Sequence, residues 1–363
     1  MISIKKGKIF LYRLHDIGWS IDLTALETLL KGDARRMKFN KIPNMKVLEI
    51  PNPPVSMEMK SFEKMVFGSN MNVGVIAKAF DFGVLSISFV IEIPPSASIH
   101  DIEETAFELD NDTSLDSKAI EYIHSFLQIA GDTVKNISIK KEFAEYFTAY
   151  LLEDVSPPAD SADFGKVFDP SRLILCEKNK VSHMQKEEIN INRFSYFPSD
   201  LVVLHTDSAL VIEPSDSTDV LDILEFAKAQ LLELRYYDKV LDKELADTYS
   251  EVSEKRDISI WNIRTYERAA LKLSRTVMDI TEVKERVNVA LKVTEDAYYA
   301  KIYRRAMVLF RSRELEESIK GKLDALTDYY KIIYNDIATK RGHLLELGII
   351  ILIIIEIIML PFL

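Results

Sequence analysis

The chain has 363 residues, enough for two domains, with 28% charged side chains and a formal net charge of −11. That balance argues against a general nucleic-acid binder, leaving only local basic patches to consider. The single cysteine, Cys176, excludes an internal disulfide framework and thiolate metal binding, and fits a reducing compartment.

The opening segment, MISIKKGKIFLYRLHDIGWS, has neither the apolar core and cleavage site of a signal peptide nor a transit-peptide composition. Up to about Asp216 the dominant period is two, which predicts strands at Lys8–Leu14, Lys46–Ile50, Val73–Phe80 and Val84–Ile93. Asp81-Phe82-Gly83 joins the last two as a hairpin turn with glycine at the positive-φ position. The same tripeptide spells a kinase metal motif, but no glycine-rich loop or HRD-type segment accompanies it. Asp22 is expected to cap a helix through Leu30, a second helix is expected near Ala119–Ala130, and Lys141–Asp154 reads as a third. A second strand group is expected at Arg172–Cys176, Arg193–Phe197, Leu201–His205 and Ala209–Ile212, after a loop around Pro157-Pro158. These elements make an α+β domain, a mixed head over residues 1–215.

From Asp216 onward the chain reads as helix, with no proline until Pro361. Apolar seams run from Val220 to Val252, from Ile263 to Leu291 and from Ile319 to Ile337, predicting a helical, coiled-coil-like stalk over residues 216–343. Ala297–Arg341 is expected as one helix. Leu344–Leu363, LLELGIIILIIIEIIMLPFL, would reach roughly 30 Å as a helix, so it reads as a C-terminal transmembrane anchor. Lys340, Arg341 and His343 before it would keep the N-terminal bulk cytoplasmic, as a single-pass tail anchor. Glu356 inside such a span is expensive unless neutral or paired, which suggests hydrogen bonding between copies and a homo-oligomer.

No GxGxxG, GKS or GKT arrangement occurs, no histidines fall at i, i+4, and no serine sits in a GxSxG elbow. No catalytic, cofactor or metal residues are therefore assigned, and no cofactor is expected. His205-Thr206-Asp207 at a strand end is the most enzyme-like cluster. Arg304, Arg305, Arg311 and Arg313, and separately Arg35-Arg36 with Lys38 and Lys41, are candidate partner contacts for phosphate of lipid or RNA. Against that stands a solvated helix face balanced by Glu314, Glu316 and Glu317. Nothing in the sequence favours an RNA or ribosome partner.

KRGHLLELGIIILIIIEI at Lys340–Ile357, DFGVLSISF at Asp81–Phe89 and DLVVLHTDSALVI at Asp200–Ile212 resemble, in order and spacing, the required-for-meiotic-nuclear-division family, a domain of unknown function. His343, Glu346 and Glu356 match its polar positions around an isoleucine-rich helix, while Leu347 stands where that family often carries tryptophan. The resemblance implies a membrane-anchored protein without known catalytic residues, whose eukaryotic relatives hold partners at the mitochondrial inner membrane. The leading expectation is a non-enzymatic tail-anchored scaffold with an unidentified protein partner. The alternatives are a hydrolase-type enzyme with its site in the head and a soluble self-assembling coiled-coil protein.

Overall fold

The computed structural model describes residues 2–38, 50, 52–95, 97–139, 143–159, 164, 168–253, 271, 274, 275, 277, 278, 281 and 297–359. Two compact units are present, residues 1–235 with 286–313, and residues 236–285 with 314–363.

The first unit is built on one large sheet. Its strands are β1 (Ser3–Asp16), β3 (Ala34–Arg36), β4 (Val55–Val66), β5 (Ser69–Ala79), β6 (Val84–Glu92), β7 (Ala97–Ser98), β9 (Ala144–Ser156), β10 (Arg193–Phe194), β11 (Leu201–Leu204) and β12 (Ser208–Ile212). The order across the sheet is β10-β11-β12-β9-β1-β6-β5-β4-β3, with β7 pairing the start of β1. A separate two-stranded ribbon joins β2 (Ser20–Ile21) to β8 (Val134–Lys135). Neighbours run antiparallel except β12 and β9, which pair in parallel from Ser208↔Thr148 to Ile212↔Leu152. A parallel pair needs a crossover, and the chain between them supplies α4 (Ser171–Leu175), α5 (His183–Ile191), β10 and β11.

One face of the sheet presents Ile9, Leu11, Ile87, Phe89, Tyr150 and Leu152 to α1 (Leu23–Leu29), α2 (Ile99–Asp110), α3 (Ser114–Ala130), α4 and α5 in a continuous apolar core. The other face is covered by the first half of α6 (Asp219–Ser253) and by α7 (Ala297–Leu309) with Phe310. There Phe226 of α6 packs edge-on against Phe80 and Phe82, and Phe310 against Phe147. The expected α+β class holds. In the second unit Lys322 of α8 (Ser312–Met359) reaches Asp238 at 2.7 Å and Asp242 at 2.6 Å, both on the later part of α6.

Several local expectations are met for the reasons given. Asp22 accepts from the amides of Thr24 and Ala25 and caps α1. Gly83 closes the β5–β6 hairpin at φ +96°, a conformation in which an added Cβ would lie 1.8 Å from the Gly18 carbonyl oxygen.

Other expectations are corrected. Lys141–Asp154 was expected as a helix, yet Ala144–Ser156 is the central strand β9. Both faces of the sheet are covered there, so its apolar residues run almost continuously and carry no clean period of two. Arg172–Cys176 forms not a strand but the short helix α4, entered from Pro170 and closed by Cys176 in the left-handed region at φ 51°. The single helix expected from Ala297 to Arg341 is broken between α7 and α8 at Arg311, whose φ is +57°. The expected strand at Lys46–Ile50 and most of the Ile263–Leu291 seam lie outside the described residues.

The transmembrane, tail-anchored and single-pass expectations are also overturned. Among the described residues no helix is long and apolar enough to cross a membrane. Between Glu346 and Glu356 the uninterrupted apolar run is Leu347–Ile355, nine residues. On a helix that covers about 13 Å, against roughly 30 Å of hydrocarbon.

Candidate functional site

The sheet face beneath α6 carries charge where an apolar pattern alone would be expected. Lys78 stands in β5 between the buried Ala77 and Ala79, and cross-strand pairing sets it beside Ser86 of β6. Its ammonium donates to Asp222 at 2.6 Å and to Glu225, one turn apart on α6. Ser88, two residues along β6, donates to Glu225 at 3.3 Å, and Thr218 donates to Asp222 at 3.4 Å. Burial works to lower the Lys78 pKa, but Asp222 and Glu225 more than offset it, so the ammonium is held above its ordinary value.

Beside this triad lies a cavity of about 240 Å³. Its walls include Phe10, Tyr12, Ile76, Met37 and Leu221, with the charged triad at one side. Tyr12 is 3% exposed, and its phenol is pushed well above the usual value by burial, then by Glu225 and Asp222. The hydroxyl therefore stays protonated near neutrality.

A second buried lysine, Lys228, sits two α6 turns from Leu221. It is fully buried, 3.5 Å from Glu145 of β9 and 3.3 Å from Asp207, with its ammonium 4.5 Å from the Phe310 ring centroid and 5.6 Å from that of Phe147. Arg235 also pairs with Glu145. Asp207 belongs to the His205-Thr206-Asp207 cluster, which is the turn between β11 and β12, closed by the His205 amide donating to the Ser208 carbonyl at 2.9 Å. Burial lowers the His205 pKa, with Asp207 and Glu188 opposing and Lys228 reinforcing that shift. The imidazole makes no side-chain hydrogen bond among the described residues, so the cluster has no nucleophile held by an oriented base.

The other residues singled out in the sequence are dispersed. Arg304 and Arg305 lie on α7, where the first donates to the Ala300 carbonyl at 3.1 Å and the second to Asn192 at 2.6 Å. Arg311 occupies the break before α8 and Arg313 its first turn; both are exposed, and neither lacks a partner. Arg36 is tied to Glu27 at 2.8 Å and to Asn52 at 3.0 Å, while Arg35 faces Glu58 at 3.6 Å. In the second unit His343 lies 3.4 Å from Glu346, and Glu356 is exposed on α8. Burial, then Asp110 and Glu177, pushes the Cys176 thiol up to about 12, leaving it protonated and a poor nucleophile at neutral pH. Among the described residues no group of three or more His, Cys, Asp or Glu side chains is arranged to hold a metal ion.

Sequence reasoning missed Lys78, Asp222, Glu225, Lys228 and Tyr12. The signal was available: a lysine inside the strand VIAKAF, and another inside the apolar seam FAKAQLL, are costly unless paired.

Comparison with known proteins gives the chain a family and no activity. A protein of Methanocaldococcus jannaschii, described as uncharacterized protein MJ0711, is 25% identical over 222 residues, covering 60% of this chain and 66% of that relative. The match thus spans just under two thirds of the relative's own length. No solved structure matches the chain. The comparisons relate it to no meiotic-nuclear-division family. A family model described as uncharacterized protein MJ0711, N-terminal domain, matches residues 6–218, which span the sheet and the helices on its first face. The chain belongs to that family of uncharacterized N-terminal domains.

Proposed function

We propose that this protein is a non-enzymatic assembly module that associates with copies of itself through α8 and so presents its sheet domain several times over. One observation carries this reading. From Leu345 to Met359 the helix exposes Leu345, Leu347, Ile349 to Ile355, Ile357 and Met359, each about half exposed or more. Between Glu346 and Glu356 the helix is apolar on every side, and such a stretch belongs in the interior of something larger. The exposed run also exceeds the few hundred Å² that a monomer ordinarily leaves open.

Isoleucine at successive core positions favours three- or four-stranded bundles over pairs, and such a bundle encloses the all-apolar turns Leu347–Ile355. In it the Glu356 carboxylates of neighbouring copies approach one another, which weakens the assembly.

Light scattering on the full chain in aqueous buffer tests the reading. A defined trimer or larger closed oligomer is expected, a chain ending at Arg341 is expected to be monomeric, and Glu356→Gln is expected to tighten association about tenfold or more. A monomeric full chain, an association without defined stoichiometry, or an oligomer that survives removal of residues 342–363 overturns it.

A further inference from the structure

The cavity beside Lys78 has features of a ligand site that the assembly reading does not use. The charge count comes first. Asp222 and Glu225 bring two carboxylates against the one ammonium of Lys78, and Arg35 at the rim faces Glu58 with both side chains open to solvent. Away from the solvent-exposed Arg35 at its rim, the charged lining of the cavity is therefore two carboxylates to one ammonium. Excess negative charge at a partly buried site attracts a group of opposite sign.

The hydrogen-bond count agrees. Two carboxylates offer roughly eight acceptor positions, and Lys78, Ser88 and Thr218 occupy four of them. Tyr12 supplies the second, independent observation. Its side chain is buried to 97% (3% exposed), lines the cavity, and its hydroxyl makes no hydrogen bond among the described residues. A tyrosine this deeply placed, whose hydroxyl opens on a cavity and bonds to no protein group, leaves that hydroxyl to water or a ligand.

Shape narrows the class further. At about 240 Å³ the space holds roughly eight waters' volume, below the usual range for large cofactors. Phe10 and Tyr12 form a stacked pair, with centroids 6.0 Å apart and planes 12° apart, and Ile76, Met37 and Leu221 continue the apolar wall. The occupant must combine a short apolar body with a hydrogen-bond-donating positive head.

We propose that this cavity binds a small organic cation, an alkylammonium, with its head on the free acceptor positions of Asp222 and on the Tyr12 oxygen, and its alkyl body along Phe10, Ile76 and Leu221. Lys78 acts as the resident cation that keeps Glu225 satisfied when the cavity holds only solvent.

Calorimetric titration of the full chain at pH 7 with butylammonium, butanol and butyrate tests this, because the three share a body and differ in the head. Butylammonium is expected to bind with Kd on the order of 1 mM, at least about tenfold tighter than butanol, with butyrate weakest. Asp222→Asn is expected to weaken butylammonium about tenfold and Tyr12→Phe about threefold, with butanol unchanged in both. Tyr12→Phe keeps the ring, so it remains informative if the aspartate variant fails to fold. Equal affinity for butylammonium and butanol, tighter binding of butyrate, no binding of butylammonium at about 50 mM, or unchanged affinity in a folded Tyr12→Phe overturns the proposal. Failure here leaves oligomerisation through α8 untouched, since every lining residue belongs to the first unit.

Discussion

Replacing Lys228 with methionine removes a cation while keeping the volume, and the structure fixes how much this should cost. Breaking a buried ion pair typically costs about 3–5 kcal/mol, because the surviving partner is left charged and dry. Here two things reduce the penalty. Asp207 has 74% of its side chain exposed and returns to water, whereas Glu145 is 6% exposed but retains Arg235. Against that, the ammonium lies over Phe310 and Phe147, and losing a desolvated cation–π contact costs about 1–2 kcal/mol. The balance is about 3 kcal/mol. Urea unfolding followed by circular dichroism should show the midpoint falling by about 1 M for a slope near 3 kcal/mol/M. Adding Glu145→Met should restore about 2 kcal/mol, since an apolar pair then replaces the ionic one and Arg235, half exposed, finds water instead. A Lys228→Met chain within about 0.5 kcal/mol of the parent, or a double variant no better than the single one, would refute the idea that this pair is energetically committed.

Two further tests follow from backbone and protonation. Gly83→Ala must place a Cβ 1.8 Å from the Gly18 carbonyl oxygen at φ +96°, so it should cost about 3 kcal/mol or more; denaturant unfolding reads this, and a cost below 1 kcal/mol would deny the hairpin geometry. His15 is buried, both ring nitrogens lack hydrogen bonds among the described residues, and its pKa is lowered to about 4, chiefly by burial, with Asp116 opposing and Arg13 reinforcing. Because the unfolded imidazole takes up its proton near pH 6.5 and the folded one only near 4, the fold weakens as pH falls through that window, by up to about 3 kcal/mol. His15→Gln should remove that part of the acid sensitivity, and parallel stability-versus-pH curves for the two proteins would contradict it.

What the sequence discloses depends on which faces an element shows. The β5–β6 hairpin was legible because glycine at position 83 can meet the required φ, and Asp22 was legible because an N-cap is a local contract between a side chain and the next amides. β9 was not, since with Phe147, Ala149 and Leu151 buried on one side and Tyr150 and Leu152 on the other a buried strand and a buried helix share one composition. β4 was missed for the opposite reason. It carries Glu58, Lys60, Glu63 and Lys64 near the edge of the sheet and slips register between Met59 and Phe62, so its apolar alternation is broken twice. α2 was missed, although Ser98 and Asp101 form a reciprocal capping box, a pattern visible in the sequence once a strand is known to end there.

The candidate site was overlooked for a different reason, and that reason explains α6 itself. Its seam of Val220, Leu224, Ala227, Leu231 and Leu234 is apolar, and an apolar face against a flat sheet can slide by a turn at little cost. Asp222, Glu225, Lys228 and Arg235 interrupt such sliding. The first two are one turn apart and meet Lys78 of β5, while the last two are two turns apart and meet Glu145 of β9. A shift of one turn, about 5.4 Å, would separate all four pairings at once and leave the buried Glu225, Lys228 and Glu145 without them. The apolar seam thus accounts for adhesion and the ion pairs for register, the role in which buried polar groups are best attested. The Tyr12 cavity lies beside the first of these pinning points, where Asp222 and Glu225 meet Lys78. A ligand site in this position needs no loop and no glycine-rich motif, which is why searching the sequence for either one could not have found it.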